Sequence, residues 1–148
     1  MKILFVCTGN TCRSPMAEII LKNKIKLAGI KNVKVSSAGL CASDGEKISK
    51  NSAQALKKLG LKSYSFRSKQ LTPIMLLNAD ITVCMTSEHK RGISNFPDVY
   101  SVSELTGLRD VSDPYGGDLS VYIQTSHEIE DVCNKILSVI IERKGEKK

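Results

Sequence analysis

The sequence predicts an α/β fold, a doubly wound four-stranded parallel sheet with helices on both faces. Short apolar runs alternate with amphipathic stretches along the 148 residues, as strands joined by helices would. The first apolar run leads straight into a glycine-containing loop and a Ser-Pro helix start. The length suits one domain, so we expect a single domain over residues 1–148.

The individual elements follow from these patterns. Short apolar runs predict strands at 2–6, 32–36, 80–85 and 99–102. Three-four spacing and capping residues predict the helices. These are 14–28, with Ser14 as N-cap and Pro15 as first residue; 49–59, closed by Gly60; a short helix from Thr72-Pro73; and a long last helix with an apolar face of Ile129, Val132, Cys133, Ile136, Leu137 and Ile140.

The composition indicates an ordinary soluble protein. Hydrophobic residues make up 41% of the chain and charged residues 25%. The apolar start is too short for a signal peptide or a membrane span, so we expect a cytoplasmic protein with no membrane partner. Five cysteines at irregular spacing fit neither a secreted disulfide framework nor a zinc site, and we interpret them as thiols.

The net charge of +7 raises the question of nucleic-acid binding. Part of the excess lies in residues 143–148, which we expect to form a flexible basic tail. Three Phe, four Tyr and no Trp leave few side chains for stacking on bases. We therefore predict no nucleic-acid partner and interpret the positive field as attraction for phosphorylated substrates.

The octapeptide 7–14, between the first strand and the first helix, is the candidate functional motif. A loop there lies at the carboxyl end of the sheet, where backbone amides and a helix N-terminus can hold phosphate. Gly9 permits a tight backbone, and the fork of Arg13 can grip two phosphoryl oxygens. The positive environment favours the thiolate of Cys7, the predicted nucleophile. The predicted phosphate-binding residues are Thr8, Gly9, Asn10, Thr11, Cys12, Arg13 and Ser14.

The alternative for Cys7 is a small buried residue that ends a strand. However, the octapeptide and the Pro-Met-Ala-Glu that follows it resemble the signature of the low-molecular-weight protein tyrosine phosphatase family. The resemblance extends through 36–39, 80–85 and 113–116, and so covers nearly the whole chain. It implies the same fold and hydrolysis of phosphorylated protein side chains through a cysteinyl-phosphate. Inorganic phosphate would be the product, with no cofactor.

The Asp-Pro-Tyr-Gly-Gly segment by itself predicts a turn. The resemblance implies that Asp113 protonates the leaving atom and then activates water, and that Tyr115 forms a wall of the cleft. It further implies that Asn10, Ser14 and Ser37 hold the loop in shape. Capping and turn chemistry remain the alternative for these three residues.

Cys12 is the second thiol of the motif. The resemblance implies a reversible disulfide with Cys7 that protects the nucleophile from over-oxidation, and packing within the loop is the alternative. A thioredoxin-coupled arsenate reductase of this fold would need a resolving cysteine pair downstream. Arg91 stands seven residues after Cys84, so this chain lacks that pair.

Thr11 bears on the choice of substrate. Family members that act on phosphotyrosine usually have Ile or Leu at this loop position, whereas the bacterial protein-arginine phosphatase branch resembles this chain in having Thr. Tyr115 departs from the Phe of that branch, and Leu40 provides no aromatic wall for the cleft. We predict protein phosphoarginine as substrate, with phosphotyrosine as the alternative. A non-enzymatic phosphopeptide-binding module would need neither Cys7 nor Asp113.

His89 and His127 are the only histidines. His89 lies among charged residues and His127 on the amphipathic last helix, so we expect both at the surface. Two separated histidines without a carboxylate cluster predict no metal site.

Overall fold

A four-stranded parallel sheet forms the centre of the structure, a computed structural model that describes residues 1–146. Its strands are β1 (Lys2–Cys7), β2 (Lys34–Gly39), β3 (Ile81–Cys84) and β4 (Val99–Ser101), arranged in the order β2-β1-β3-β4. Each neighbouring pair runs parallel. The predicted α/β fold is confirmed. β2 begins two residues later than predicted because Asn32 has a left-handed backbone, with φ 63, which an extended strand does not accommodate.

The described residues form six helices, of which four were predicted. They are α1 (Arg13–Leu27), α2 (Lys50–Lys58), α3 (Pro73–Asn78), α4 (Ser87–Arg91), α5 (Val102–Thr106) and α6 (Leu119–Glu146). The two short helices α4 and α5 were not predicted, although each begins with a capping box, at Thr86 and at Ser101 respectively.

Alternate side chains of β1 point to opposite faces of the sheet, as the pleat of a strand requires. Ile3 and Phe5 belong to the larger apolar cluster, which α1 and α6 complete. Leu4 and Val6 belong to a second cluster with α3 and the segment after α4. Both faces of the sheet are therefore covered by helices, as predicted.

The position of β1 determines where a ligand can bind. β1 lies between β2 and β3, so the chain winds away from it in both directions. In such sheets the crevice outside the carboxyl ends, at the point where strand order reverses, is the usual binding site. Cys7 ends β1 there, paired in register with Gly39 at the end of β2.

The prediction that Ser14 caps α1 is wrong. The helix begins at Arg13, and Cys12 occupies the N-cap position without a side-chain cap bond. The Ser14 hydroxyl instead contacts Asn10 and Cys7. Pro15 thus stands third in the helix, where its missing N–H is one of the amides that a helix leaves unbonded anyway.

The carboxyl-terminal segment is helical as far as it is described. α6 continues through Glu146, so the prediction of a flexible tail over 143–148 is wrong for residues 143–146, and the last two residues lie outside the described part of the chain. Arg143 and Lys144 in the last turn interact favourably with the negative end of the helix dipole. Within residues 1–146, no helix has the length and apolar character needed to span a bilayer.

Candidate active site

The loop 8–12 joins the end of β1 to the start of α1 and has its amides available for a ligand. Among the described residues, no protein group accepts a hydrogen bond from the amides of residues 8–12. Together with the N-terminus of α1, these amides can bind an oxyanion. The loop carbonyls are held by neighbouring backbone: Cys7 accepts from Leu40 at 2.9 Å, Thr8 from Cys41 at 2.9 Å and Thr11 from Ser49 at 2.8 Å.

Asn10 fixes the curvature of the loop. Its backbone is left-handed, with φ 55, and its side chain is fully buried. Oδ1 accepts a hydrogen bond from the backbone amide of Lys69 at 2.9 Å, which sets the orientation of the amide group. Nδ2 then donates to Ser14 Oγ at 2.8 Å and to Ser37 Oγ at 2.9 Å. Every polar atom of this buried side chain is therefore paired.

Gly39, and not Gly9, is the glycine that the loop requires. A side chain at Gly9 would meet only Thr11 Oγ1 at 3.8 Å, so the prediction that Gly9 permits the tight backbone is wrong. A Cβ at Gly39 would lie 2.6 Å from the Thr8 carbonyl oxygen and 2.9 Å from the Asn10 amide nitrogen. The end of β2 can therefore approach the loop this closely only without a side chain.

A chain of hydrogen bonds runs from a buried carboxylate to the sulfur of Cys7. The NH₂ group of Asn10 only donates, so the hydroxyls of Ser14 and Ser37 accept from it and direct their own protons elsewhere. Ser37 donates to Glu18 Oε1 at 2.7 Å. The Ser14 hydroxyl lies 2.8 Å from Cys7 Sγ and donates to this sulfur when Cys7 is a thiolate, which can only accept. A proton directed at this sulfur interacts favourably with a thiolate, the nucleophilic form of cysteine.

Arg13 and Asp113 meet beside the loop. Arg13 is only 5% exposed, and its Nη1 donates to the carbonyl of Val111 at 3.0 Å, which holds the guanidinium in place. Nη2 lies 3.7 Å from Oδ2 of Asp113, whose side chain is 54% exposed. Oδ1 of Asp113 accepts from the amide of Tyr115 at 3.0 Å. This local turn holds the carboxylate near the loop while leaving it open to solvent.

A cavity of about 260 Å³ opens over the loop. Asn10 and Ser14, which were predicted among the phosphate-binding residues, do not line this cavity and are buried, as is Ser37. Leu40, which the sequence places at the cleft, does not line this cavity and packs against the second apolar cluster instead. The lining residues are Cys7, Thr8, Gly9, Thr11, Cys12, Arg13, Asp113 and Tyr115.

His89 is buried, so the prediction that it lies at the surface is wrong. It is 7% exposed, and its Nδ1 accepts from the backbone amide of Thr86 at 3.2 Å. In the neutral ring, Nε2 then carries the proton and donates to Thr8 Oγ1 at 2.9 Å. Burial, and then the charge of Arg13, lower the pKa of His89, which favours this neutral form. His127 does lie at the surface, 3.0 Å from Glu130.

Cys12 also lines the active-site cavity, and its thiol is free and half-buried. Its Sγ contacts Ser49 Oγ at 3.4 Å and the hydroxyl of Tyr122 at 3.8 Å. Burial, and then the contact with Cys12, raise the pKa of Tyr122 to about 12, so the phenol remains a neutral hydroxyl. The Cys12 side chain is thus held by polar contacts at the cavity wall.

Three side chains at the site were missed by the sequence analysis: Glu18, His89 and Tyr122. Glu18 had a signal, because it stands four residues after Ser14 and therefore on the same face of α1. His89 and Tyr122 reach their partners across 81 and 110 residues of sequence, and no local pattern indicates such contacts. Within the described chain, no cluster of three His, Cys, Asp or Glu side chains could hold a metal ion.

Known proteins resemble this chain over nearly its whole length. Residues 2–147 match the family described as low molecular weight phosphotyrosine protein phosphatase. The chain is 39% identical over 143 residues to a protein-arginine-phosphatase of Bacillus subtilis, covering 92% of this chain and 94% of that protein. It is also 39% identical over 141 residues to the low molecular weight protein-tyrosine-phosphatase PtpB of Staphylococcus epidermidis, covering 92% and 96%.

A solved structure agrees in fold with these matches. The YwlE arginine phosphatase, as a C7S mutant with a phosphorylated active-site serine, superposes with a TM-score of 0.88. The two sequences are 35% identical, and the superposition covers 95% of each chain.

The hydrogen-bond chain behind the loop can be tested through Ser37. Ser37→Ala leaves a donor of Asn10 and an oxygen of Glu18 unpaired in a buried position. We expect the free energy of unfolding to fall by about 1–3 kcal/mol, measured by urea denaturation. Ser36→Ala, one residue earlier in β2 and on its other face, should cost less than about 0.5 kcal/mol. An equal loss of unfolding free energy in the two variants would contradict the proposed chain of hydrogen bonds.

Proposed function

The chain belongs to the low molecular weight phosphotyrosine protein phosphatase family, and we propose that it hydrolyses protein phosphoarginine through a phosphocysteine at Cys7. The observation that carries this proposal is the cavity in which the Cys7 thiol, the Arg13 guanidinium and the Asp113 carboxyl meet over a loop of available amides. Phosphorylated proteins are the substrates, and inorganic phosphate is the product.

Cys7 is the proposed nucleophile. Its sulfur ends β1 at the base of the cavity, with the Ser14 hydroxyl directed at it from 2.8 Å. The thiolate attacks phosphorus opposite the leaving nitrogen, so a P–S bond forms while the P–N bond breaks. The phosphorylated serine in the related YwlE mutant supports a covalent phosphoenzyme, since it carries the phosphoryl group on an active-site side chain.

The loop and Arg13 supply the electrostatic part of the reaction. During transfer, negative charge spreads over the three non-bridging oxygens of the phosphoryl group. The amides of residues 8–12 and the guanidinium fork can donate to these oxygens, and the carbonyl of Val111 already fixes the fork. Donors held in position before the substrate arrives need little reorganisation, which is the basis of transition-state stabilisation here.

Asp113 is the proposed acid and base. A guanidino nitrogen leaves as a strongly basic group unless it is protonated, so the carboxyl of Asp113 gives it a proton as the P–N bond breaks. The carboxylate then takes a proton from water, which attacks phosphorus, breaks the P–S bond and releases phosphate and the Cys7 thiolate. The position of Asp113 at the cavity rim, 3.7 Å from Arg13, suits both steps.

Thr11 is the residue on which the choice of phosphoarginine over phosphotyrosine as the substrate rests. Relatives with arginine and with tyrosine phosphatase names are equally similar to this chain, so overall similarity does not choose between the two substrates. Thr11 lines the cavity, and its hydroxyl has only a 4.0 Å contact, with Cys12 Sγ, among the described residues. The hydroxyl is thus available to accept an N–H of a guanidinium or to hold a water.

Phosphotyrosine is the second candidate, and Tyr115 is the observation in its favour. The ring of Tyr115 is 83% exposed at the cavity rim and can pack against an aromatic leaving group. Purified protein assayed in parallel on phosphoarginine and phosphotyrosine peptides separates the two candidates through the ratio of their kcat/KM values.

Cys7→Ser should abolish turnover while phosphate still binds, because Arg13 and the loop amides remain. A serine hydroxyl is a far weaker nucleophile and leaving group than a thiolate. Steady-state hydrolysis and calorimetric phosphate binding measure the two properties. Cys41→Ser changes an exposed cysteine and retains the backbone amide that donates to the Thr8 carbonyl, so it should keep the activity of the parent. Turnover by Cys7→Ser at the parental rate would exclude Cys7 as nucleophile.

Asp113→Asn should slow phosphoarginine hydrolysis far more than hydrolysis of an activated aryl phosphate, whose leaving group needs no proton. General acid catalysis contributes about 10²–10⁴-fold, and we expect a loss in this range for the phosphoarginine peptide. Single-turnover rates on both substrates measure the effect. Asp131→Asn, an exposed carboxylate on α6, serves as the control. Equal slowing of both substrates would remove Asp113 from the acid role.

Thr11→Ile should reduce kcat/KM for phosphoarginine peptides and leave phosphotyrosine hydrolysis unchanged or improved. A guanidinium donor left unpaired in the cavity costs about 1–3 kcal/mol, which corresponds to about 5- to 140-fold. An aromatic ring brings no such donor and gains apolar contact. Thr11→Ser retains the hydroxyl and should keep the parental preference. If both substrates change by the same factor in Thr11→Ile, Thr11 only supports the loop and the phosphoarginine assignment loses its basis.

A further inference from the structure

A second cavity, of about 620 Å³, lies between the end of α2 and the segment 60–67. We call it the basic cavity. Its half-buried lining consists of three apolar residues, Ile48, Ala53 and Leu61, together with Ser63. Its exposed rim carries the cations Lys47, Lys57, Lys62 and Arg67. Nothing in the proposed reaction uses these residues.

The charges of this rim are not neutralised by the protein. Among the described residues, no carboxylate lines the basic cavity, and Lys47, Lys57 and Lys62 make no salt bridge. Nη1 of Arg67 donates to the carbonyls of Tyr64 at 3.1 Å and Phe66 at 2.7 Å, so it braces the segment without losing its charge. A positive rim around an apolar floor is complementary to an acidic peptide that contains an apolar side chain.

The basic cavity adjoins the candidate active site. Ile48 lines it, and the next residue, Ser49, donates its backbone amide to the carbonyl of Thr11 at 2.8 Å. The hydroxyl of Ser49 also accepts from Cys12 Sγ at 3.4 Å. Thr11 and Cys12 line the active-site cavity, so Ser49 separates the two cavities. A peptide whose phosphorylated residue enters one cavity can extend past Ser49 toward the other.

We propose that the basic cavity docks an acidic segment of the phosphoprotein substrate, next to the phosphorylated residue. This rests on the proposed function, because the docked segment and the reacting residue belong to one chain. The apolar floor binds an uncharged side chain, and the lysines attract the flanking carboxylates. Exposed Tyr64, at the edge of the same cavity, adds an aromatic surface for the peptide.

The test compares two phosphopeptides that differ only in a flanking stretch, Glu/Asp in one and Gln/Asn in the other. The variant carries Lys47→Glu and Lys62→Glu, both outside helices and strands. We expect the parent to prefer the acidic peptide and the variant to lose about three- to tenfold in kcat/KM on that peptide, through KM and not kcat. The preference of the parent should shrink between about 0.02 M and about 0.3 M salt.

A matched control carries Lys31→Glu and Lys34→Glu, which change the net charge equally at the opposite, amino-terminal edge of the sheet. It should retain the preference of the parent. An equal loss in the control, or an equal loss on both peptides, would overturn the docking proposal. Hydrolysis of a small aryl phosphate should be the same in all three proteins, which confirms that the active site is intact.

Direct binding separates failure of the docking site from failure of the proposed function. Fluorescence anisotropy with the unphosphorylated acidic peptide requires no catalysis, and the Lys47→Glu, Lys62→Glu variant should bind it more weakly than the parent does. If phosphopeptides are not hydrolysed but this difference persists, the proposed function fails and the docking site stands. If an oligodeoxynucleotide displaces the labelled peptide at a lower concentration than the unlabelled acidic peptide does, the surface binds nucleic acid in preference and the docking proposal is overturned.

Discussion

The left-handed backbone of Asn10 is the constraint on which the site depends. A non-glycine residue in this region costs about 1–3 kcal/mol unless its surroundings compensate. Glycine would adopt φ 55 without strain, but it would provide none of the three hydrogen bonds that Asn10 makes to Lys69, Ser14 and Ser37. The hydrogen bonds of the side chain, and not the backbone conformation alone, therefore explain why asparagine and not glycine occupies position 10. Those three bonds determine the curvature of the loop before any ligand binds.

The same side chain also sets the direction of the protons around it. Because Oδ1 is occupied by a backbone amide, the NH₂ group must face the two serines, and each serine must direct its proton away. The proton of Ser37 goes to Glu18, and that of Ser14 goes to the sulfur of Cys7 when Cys7 is a thiolate. The base of the cavity is thus rigid and polarised. Its rim is different, since Asp113 and Tyr115 are largely exposed and held by one local turn.

Much of this arrangement could be predicted from the sequence, since strands and the loop depend on short-range patterns. The four apolar runs predicted the strands of the sheet, and the octapeptide predicted the loop, because each pattern lies within a few consecutive residues. Features that depend on distant contacts could not be predicted. The Ser14 hydroxyl has a better partner than a helix cap in Asn10 and Cys7. His89 is buried because the loop, 81 residues away in sequence, packs over it at Thr8. The need for glycine at Gly39 likewise arises only when β2 meets the loop.

Under the proposed function, the division between a rigid base and an open rim also separates two kinds of specificity. The phosphoryl group is common to every substrate of the family, so the loop amides and Arg13 cannot tell one leaving group from another. Discrimination requires a side chain that meets the leaving group, and Thr11 stands at that position in the cavity wall. A change at one such residue need not alter the fold, and relatives named for arginine and for tyrosine phosphatase activity are equally similar to this chain. The basic cavity lies beyond Ser49 and meets only the residues flanking the phosphorylated one. Recognition of the phosphorylated side chain and recognition of its sequence context therefore reside on different residues, and each can vary without altering the other.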